Sequence, residues 1–153
     1  GDRLWLAAER EKRGLLTAHL GKDGWACDAS CILRVESGND VLPPQLGGKS
    51  VAKDFSDISL YKGKLFTLER AAYRICRRTL ETGQLETCWS FAKEALQPNR
   101  LYDQKYGLTE ALIVDDKGAW VGTDNNFGVR ADGEKRPIVW RFAAPEGGWS
   151  AKP

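Results

Sequence analysis

Residues 107–128, Gly-Leu-Thr-Glu-Ala-Leu-Ile-Val-Asp-Asp-Lys-Gly-Ala-Trp-Val-Gly-Thr-Asp-Asn-Asn-Phe-Gly, hold two short apolar runs joined by an acidic turn and bracketed by carboxylates. Ala111 to Val114 and Ala119 to Val121 read as strands, and Asp115-Asp116-Lys117-Gly118 supplies the Asp and Gly that a hairpin turn favours. Folding this hairpin brings Glu110 beside Asp124. The unit is acid, strand, turn, strand, acid.

The unit recurs. Asp57 to Tyr61, then Lys62-Gly63, then Lys64 to Leu68 ending in Glu69-Arg70 is a second copy, and Leu4 to Ala8 ending in Glu9-Arg10 is part of a third. Aligned on the closing acid, LWLAAER, KLFTLER and AWVGTDN superpose, with Glu9, Glu69 and Asp124 spaced by 60 and 55 positions. That period suits a four-stranded blade plus loop insertions, and it predicts an all-β fold, a partial β-propeller of about three four-stranded antiparallel blades. The blades fall at about residues 1–35, 54–91 and 107–142 of a single domain spanning 1–153, and the Gly- and Pro-rich segment 36–53 is read as a loop. Ala92 to Asp103 is expected to hold a short helical turn.

Propellers close with about four to eight blades. The first unit lacks the acid-led strand that precedes the other two, so Gly1 is expected in a turn within a blade. The chain is therefore expected to be the C-terminal half of a larger propeller, completed by an N-terminal half as a separate chain or by a homo-oligomer.

A length of 153 residues with 42% hydrophobic and 29% charged composition is that of an ordinary globular chain. The net charge of +2 comes from 23 basic and 21 acidic residues dispersed among each other, which gives no reason to invoke nucleic acid. The apolar runs are far shorter than the ~20 residues of a membrane-spanning helix.

Four cysteines form two local pairs, Cys27 with Cys31 and Cys76 with Cys88, without zinc-site spacing and with the lone His19 near neither. A hairpin turning at Thr82-Gly83 sets Cys76 opposite Cys88. Two disulfides place the chain in the periplasm or outside the cell; four buried thiols in a cytosolic protein are the alternative.

The phrases Ser56-Asp57-Ile58, Leu68-Glu69-Arg70, Gly107-Leu108-Thr109-Glu110-Ala111-Leu112 and Thr123-Asp124-Asn125-Asn126-Phe127, with Ala8-Glu9-Arg10, resemble the phytase-like, esterase-like propeller family of bacteria. The resemblance implies a propeller fold and hydrolysis of phosphate or other esters.

Acids at the strand ends of successive blades are expected to gather at one channel mouth. Asp57, Glu69, Glu110, Asp124 and Asn125 then form a hard-oxygen ligand set for Ca²⁺ or Mg²⁺, with Glu110 and Asp124 at the catalytic centre. Arg70, Arg10 and Asn126 are expected to hold an anionic ester substrate. The competing expectation is a non-catalytic propeller that binds a ligand or protein, its acids serving as structural staples. The sequence contains no GxSxG nucleophile elbow, and His19 is read as a strand residue without a catalytic partner.

Overall fold

The computed structural model describes residues 2–10 and 12–151. Gly1 and its expected turn lie outside the described residues, as does Glu11. Three antiparallel sheets follow one another along the chain. In the first, β1 (Arg3–Ala8) pairs with β2 (Arg13–Gly21), and β2 pairs with both β3 (Gly24–Ala26) and β4 (Ile32–Glu36). β3 and β4 are separated by a small loop in which Cys27 and Cys31 are bonded to each other, with Asp28-Ala29-Ser30 between them. The expected loop 36–53 contains a small hairpin of its own, β5 (Asn39–Val41) with β6 (Ser50–Ala52), and a 3₁₀ turn at Pro44–Leu46.

The second sheet is a four-stranded meander of β7 (Asp57–Tyr61), β8 (Lys64–Glu69), β9 (Arg74–Thr79) and β10 (Leu85–Ser90). Cys76 faces Cys88 across β9 and β10, and the two are joined. A short helix α1 (Ala92–Ala95) and a 3₁₀ turn at Pro98–Arg100 lead to the third sheet, β11 (Thr109–Val114), β12 (Gly118–Thr123) and β13 (Val139–Ala143). This sheet has three strands among the described residues. No described helix is long and apolar enough to cross a membrane.

The sheets pack against one another through the apolar side chains of their strands; β8 and β9 are buried almost throughout, whereas β11 alternates. Leu112 and Val114 on β11 and Ala119 and Val121 on β12 turn inward against Phe66, Leu68 and Ile75 of the second sheet. Leu15, Phe55 and Leu65, backed by Trp5, Ala7 and Ile58, join the first sheet to the second. Each such buried side chain contributes about 1.5–3 kcal/mol. Trp149 in the tail is buried edge-on to both Phe66 and Trp89, its Nε1 donates to the carbonyl of Asp115, and the Trp149 carbonyl accepts from Arg77. Gly118 is fixed by proximity: a Cβ there would lie 1.8 Å from the Phe142 carbonyl oxygen.

The innermost strands are stapled across the sheet boundary. Asp57 Oδ2 accepts from the Leu112 amide at 2.6 Å and Ser59 Oγ accepts from the Val114 amide at 3.0 Å. Both bonds span 55 positions, the repeat read from the sequence.

Candidate functional site

Glu69 and Arg70 leave β8 on opposite sides, and this alternation separates two charge clusters. Glu69 turns inward and its side chain is almost completely buried. Its Oε2 accepts from Arg74 Nε at 2.8 Å and lies 3.2 Å from Arg13, while Oε1 accepts from Arg78 at 2.9 Å. Arg13 and Arg78 also bind Glu36, which makes one buried network from four strands. Burial pushes the Glu69 carboxyl up, but Arg13, Arg74 and Arg78 outweigh it and hold it below its usual range. Glu69 is therefore a structural ion-pair centre and is not exposed at the mouth as expected.

Arg70 turns outward into a cleft of about 610 Å³ bounded by Glu9, Arg10, Asp54, Arg70, Tyr106, Glu110, Asp124 and Asn126. Its Nε donates to Asp54 Oδ2 at 2.8 Å, its Nη2 to Glu9 Oε1 at 2.5 Å and its Nη1 to Glu110 Oε1. Gly107 makes room for this fan: a Cβ there would lie 2.4 Å from Arg70 Cγ and 2.8 Å from its carbonyl oxygen. Asp54 was not anticipated, although it is an acid ahead of a strand like the others. Its other oxygen accepts from the Ala71 amide at 3.3 Å, and its carbonyl accepts from Arg13, tying the cleft to the buried network.

Two of the carboxyls on Arg70, Glu110 and Glu9, are pushed in opposite directions. Burial raises Glu110, and the nearby charges of Glu9 and Asp54 add to this, so that Arg70 does not bring it back to its ordinary value. Burial also raises Glu9, but hydrogen bonds from Arg10 and Arg70 outweigh it and leave its pKa lowered. Burial opposes the charge on Arg70, yet Asp54, Glu9 and Glu110 hold its pKa above the ordinary value. Arg70 is thus occupied by three carboxylates, which leaves it poorly placed for the expected role of holding a substrate anion. Arg10 binds Glu9 at the exposed rim.

The remaining expected ligands are engaged elsewhere. Asp57 gives its two oxygens to the amides of Ile58 and Leu112. Asn125 is buried and donates its amide to the carbonyls of Gly128 and Lys135. Asp124 accepts from the Asn126 amide at 3.0 Å and stays exposed at the cleft. Asp57, Glu69, Glu110, Asp124 and Asn125 therefore do not form one Ca²⁺ or Mg²⁺ shell, and among the described residues no group of three or more His, Cys, Asp or Glu converges to hold a metal ion. His19 lies 3.3 Å from Asp28, beside the Cys27–Cys31 loop. Both disulfides join the pairs expected from spacing.

No protein-family model matches the sequence, and no curated protein matches it. Among solved structures, the fold is similar to a europium-containing methanol dehydrogenase, with a TM-score of 0.48 and 14% identity over 97% of this chain. The chain spans 24% of that protein's length.

Proposed function

We propose that this chain is part of an esterase-like propeller hydrolase and that the Arg70 cleft is its reaction site. The supporting observation is a pair of carboxyls on one guanidinium whose proton affinities are driven apart, Glu110 up and Glu9 down, which is how one site keeps an acid and a base together. Each binds its arginine partners through Oε1, and Oε2 has no protein partner among the described residues. Glu9 takes a proton from water as the water attacks the ester carbonyl. Glu110, whose affinity for a proton is held above its ordinary value, is assigned to pass a proton to the departing alkoxide as the C–O bond breaks, giving acid and alcohol. Asp124 and Asn126 also line the cleft, and Arg70 binds both carboxyls.

The cleft sets Glu9, Asp54, Glu110 and Asp124 against Arg10 and Arg70, so its acids outnumber its cations. A phosphate ester is repelled there and an uncharged ester is not, which narrows the phytase-like expectation to its esterase side. A Ca²⁺ or Mg²⁺ ion would offset the repulsion, but the residues expected to hold one do not converge, and no step is assigned to it. The two disulfides suit an oxidising compartment, the periplasm or the cell exterior.

The non-catalytic reading draws on one observation of its own, that Asp57 and Glu69 act as architecture. Hydrolysis of p-nitrophenyl acetate separates the two. The hydrolase reading expects turnover unaffected by EDTA, and a loss of about 100-fold in kcat for Glu110→Gln with KM little changed. Equal rates for wild type and Glu110→Gln would favour the binding module, and loss of activity in EDTA would restore the metal.

A further inference from the structure

The first sheet differs from the other two at its inner edge. By the repeat, β1 corresponds to β8 and β12, which have β7 and β11 beside them on the inner side, whereas β1 pairs only with β2. The Leu20 amide donates to the Asp2 carbonyl, and the register pairs Leu4 with Ala18 and Leu6 with Leu16. In an antiparallel ladder alternate residues point their backbone groups to alternate sides, so the amides and carbonyls of Arg3, Trp5 and Ala7 face the free edge. The Glu9 carbonyl, next in that series, already accepts from the Phe55 amide just ahead of β7, which fixes the edge in line with the inner strands.

The same sheet leaves one face uncovered. Leu4, Leu6, Leu20, Trp25, Ile32 and Val35 are all exposed, Ile32 at 58%. The register places them together on the face opposite Trp5 and Ala7, which pack on the second sheet. An apolar face continuous with an open strand edge is the form that a blade boundary takes in the rest of this molecule, where Leu112 and Val114 meet Phe66 and Leu68.

We propose that β1 is an acceptor edge for an extended strand from outside these residues, which completes the first sheet as its innermost strand and brings an apolar sheet face over Leu6 and Ile32. The occupant is a blade-type strand, because the two inner strands present share one chemistry: β7 holds its neighbour by Asp57 and Ser59, alternate residues whose oxygens accept backbone amides. The incoming strand is expected to alternate oxygen-bearing and apolar side chains in the same way, with the oxygens turned to β7. This assignment does not depend on the chemistry of the Arg70 cleft.

Peptides copying residues 54–62 and 107–115, the inner strands already present, serve as probes for the intact protein, with scrambled peptides as controls. The expected result is saturable binding that slows hydrogen exchange at the Arg3, Trp5 and Ala7 amides by tenfold or more. Arg3→Pro, at an exposed position whose amide faces outward, is expected to weaken binding by tenfold or more; Leu6→Glu, on the uncovered face, leaves the edge amides intact and tests folding and face separately. No saturable binding, or protection at β13 instead of β1, would overturn the assignment. A concentration-dependent dimer in sedimentation that Arg3→Pro abolishes would also overturn it, since the edge would then belong to a second copy.

Discussion

Asp57 and Leu112 are joined by a 2.6 Å hydrogen bond from the Leu112 amide to Asp57 Oδ2, and they occupy equivalent places in successive repeats. The side chain at one inner strand position caps the backbone of the same position in the next sheet. Asp57→Ala leaves that amide without its acceptor, and the expected loss is about 1–3 kcal/mol, measured by urea unfolding. Asp57→Asn keeps one of the two acceptors and is expected to cost less. An unchanged midpoint for Asp57→Ala would show that the staple holds nothing.

The buried network predicts acid sensitivity. Glu36 is pushed up by burial but pulled down further by Arg78, Arg34 and Arg13, to about 2, and Glu69 is also lowered. Carboxyls with depressed folded-state pKa values stabilise the fold above their unfolded value, here about 4.5, and lose that contribution as pH falls toward 2. Unfolding free energy is therefore expected to drop between about pH 4.5 and 2, and Glu69→Ala to cost about 3–5 kcal/mol at neutral pH by stranding the arginines. A flat profile across that window would contradict the network's role.

Glu110 carries the opposite sign. With its pKa raised in the folded state, its ionisation opposes folding, so stability is expected to decline as pH rises from the unfolded carboxyl value through the raised one, and Glu110→Gln to flatten that decline. Ester hydrolysis is expected to fall over the same rise, because the proton donor is lost, and to fall at low pH as Glu9 protonates. A pH–rate profile without the alkaline limb would remove Glu110 from the acid role.

Gly107 offers a test of positioning. Gly107→Ala places a methyl against Arg70 and is expected to move the guanidinium away from Glu110, lowering kcat about 10–100-fold. The pH–rate profile should shift with it, since Glu110 would lose its ion-pair partner. A shift in stability alone, with the profile unchanged, would make Gly107 merely structural.

The Cys76–Cys88 bond, with a sequence separation of 12, ties the buried strand β9 to the half-exposed strand β10. Cys76→Ser with Cys88→Ser is expected to cost about 2–3 kcal/mol, while opening Cys27–Cys31, which closes a loop of 4 in an exposed turn, is expected to cost less. Thermal midpoints of the two double variants check the order.

The hairpins were legible because each is local: Asp115 to Gly118, Lys62-Gly63 and Thr82-Gly83 declare their turns, and the Cys76–Cys88 pairing follows from the last. The acids recurring at strand ends pointed to the cleft through Glu9, Glu110 and Asp124. Their recurrence could not show which way each acid points. Glu69 and Arg70 are neighbours, and one residue of strand alternation sends the first into Arg13, Arg74 and Arg78 and the second among the acids of the cleft, Glu9, Asp54 and Glu110. Those arginines come from two other strands, so no window of sequence contains the network. The short pairing of β5 with β6 was hidden for another reason: three-residue strands in a Gly- and Pro-rich segment have too few positions to show an alternation.

Trp149 touches both neighbouring sheets at once, edge-on to Phe66 and Trp89 on one and bonded to the Asp115 carbonyl on the other. Its indole is a built-in optical gauge of the seam. Parting of the second and third sheets would wet that ring and redden its emission, so in a variant whose other five tryptophans are replaced by Phe, fluorescence follows the opening of the seam.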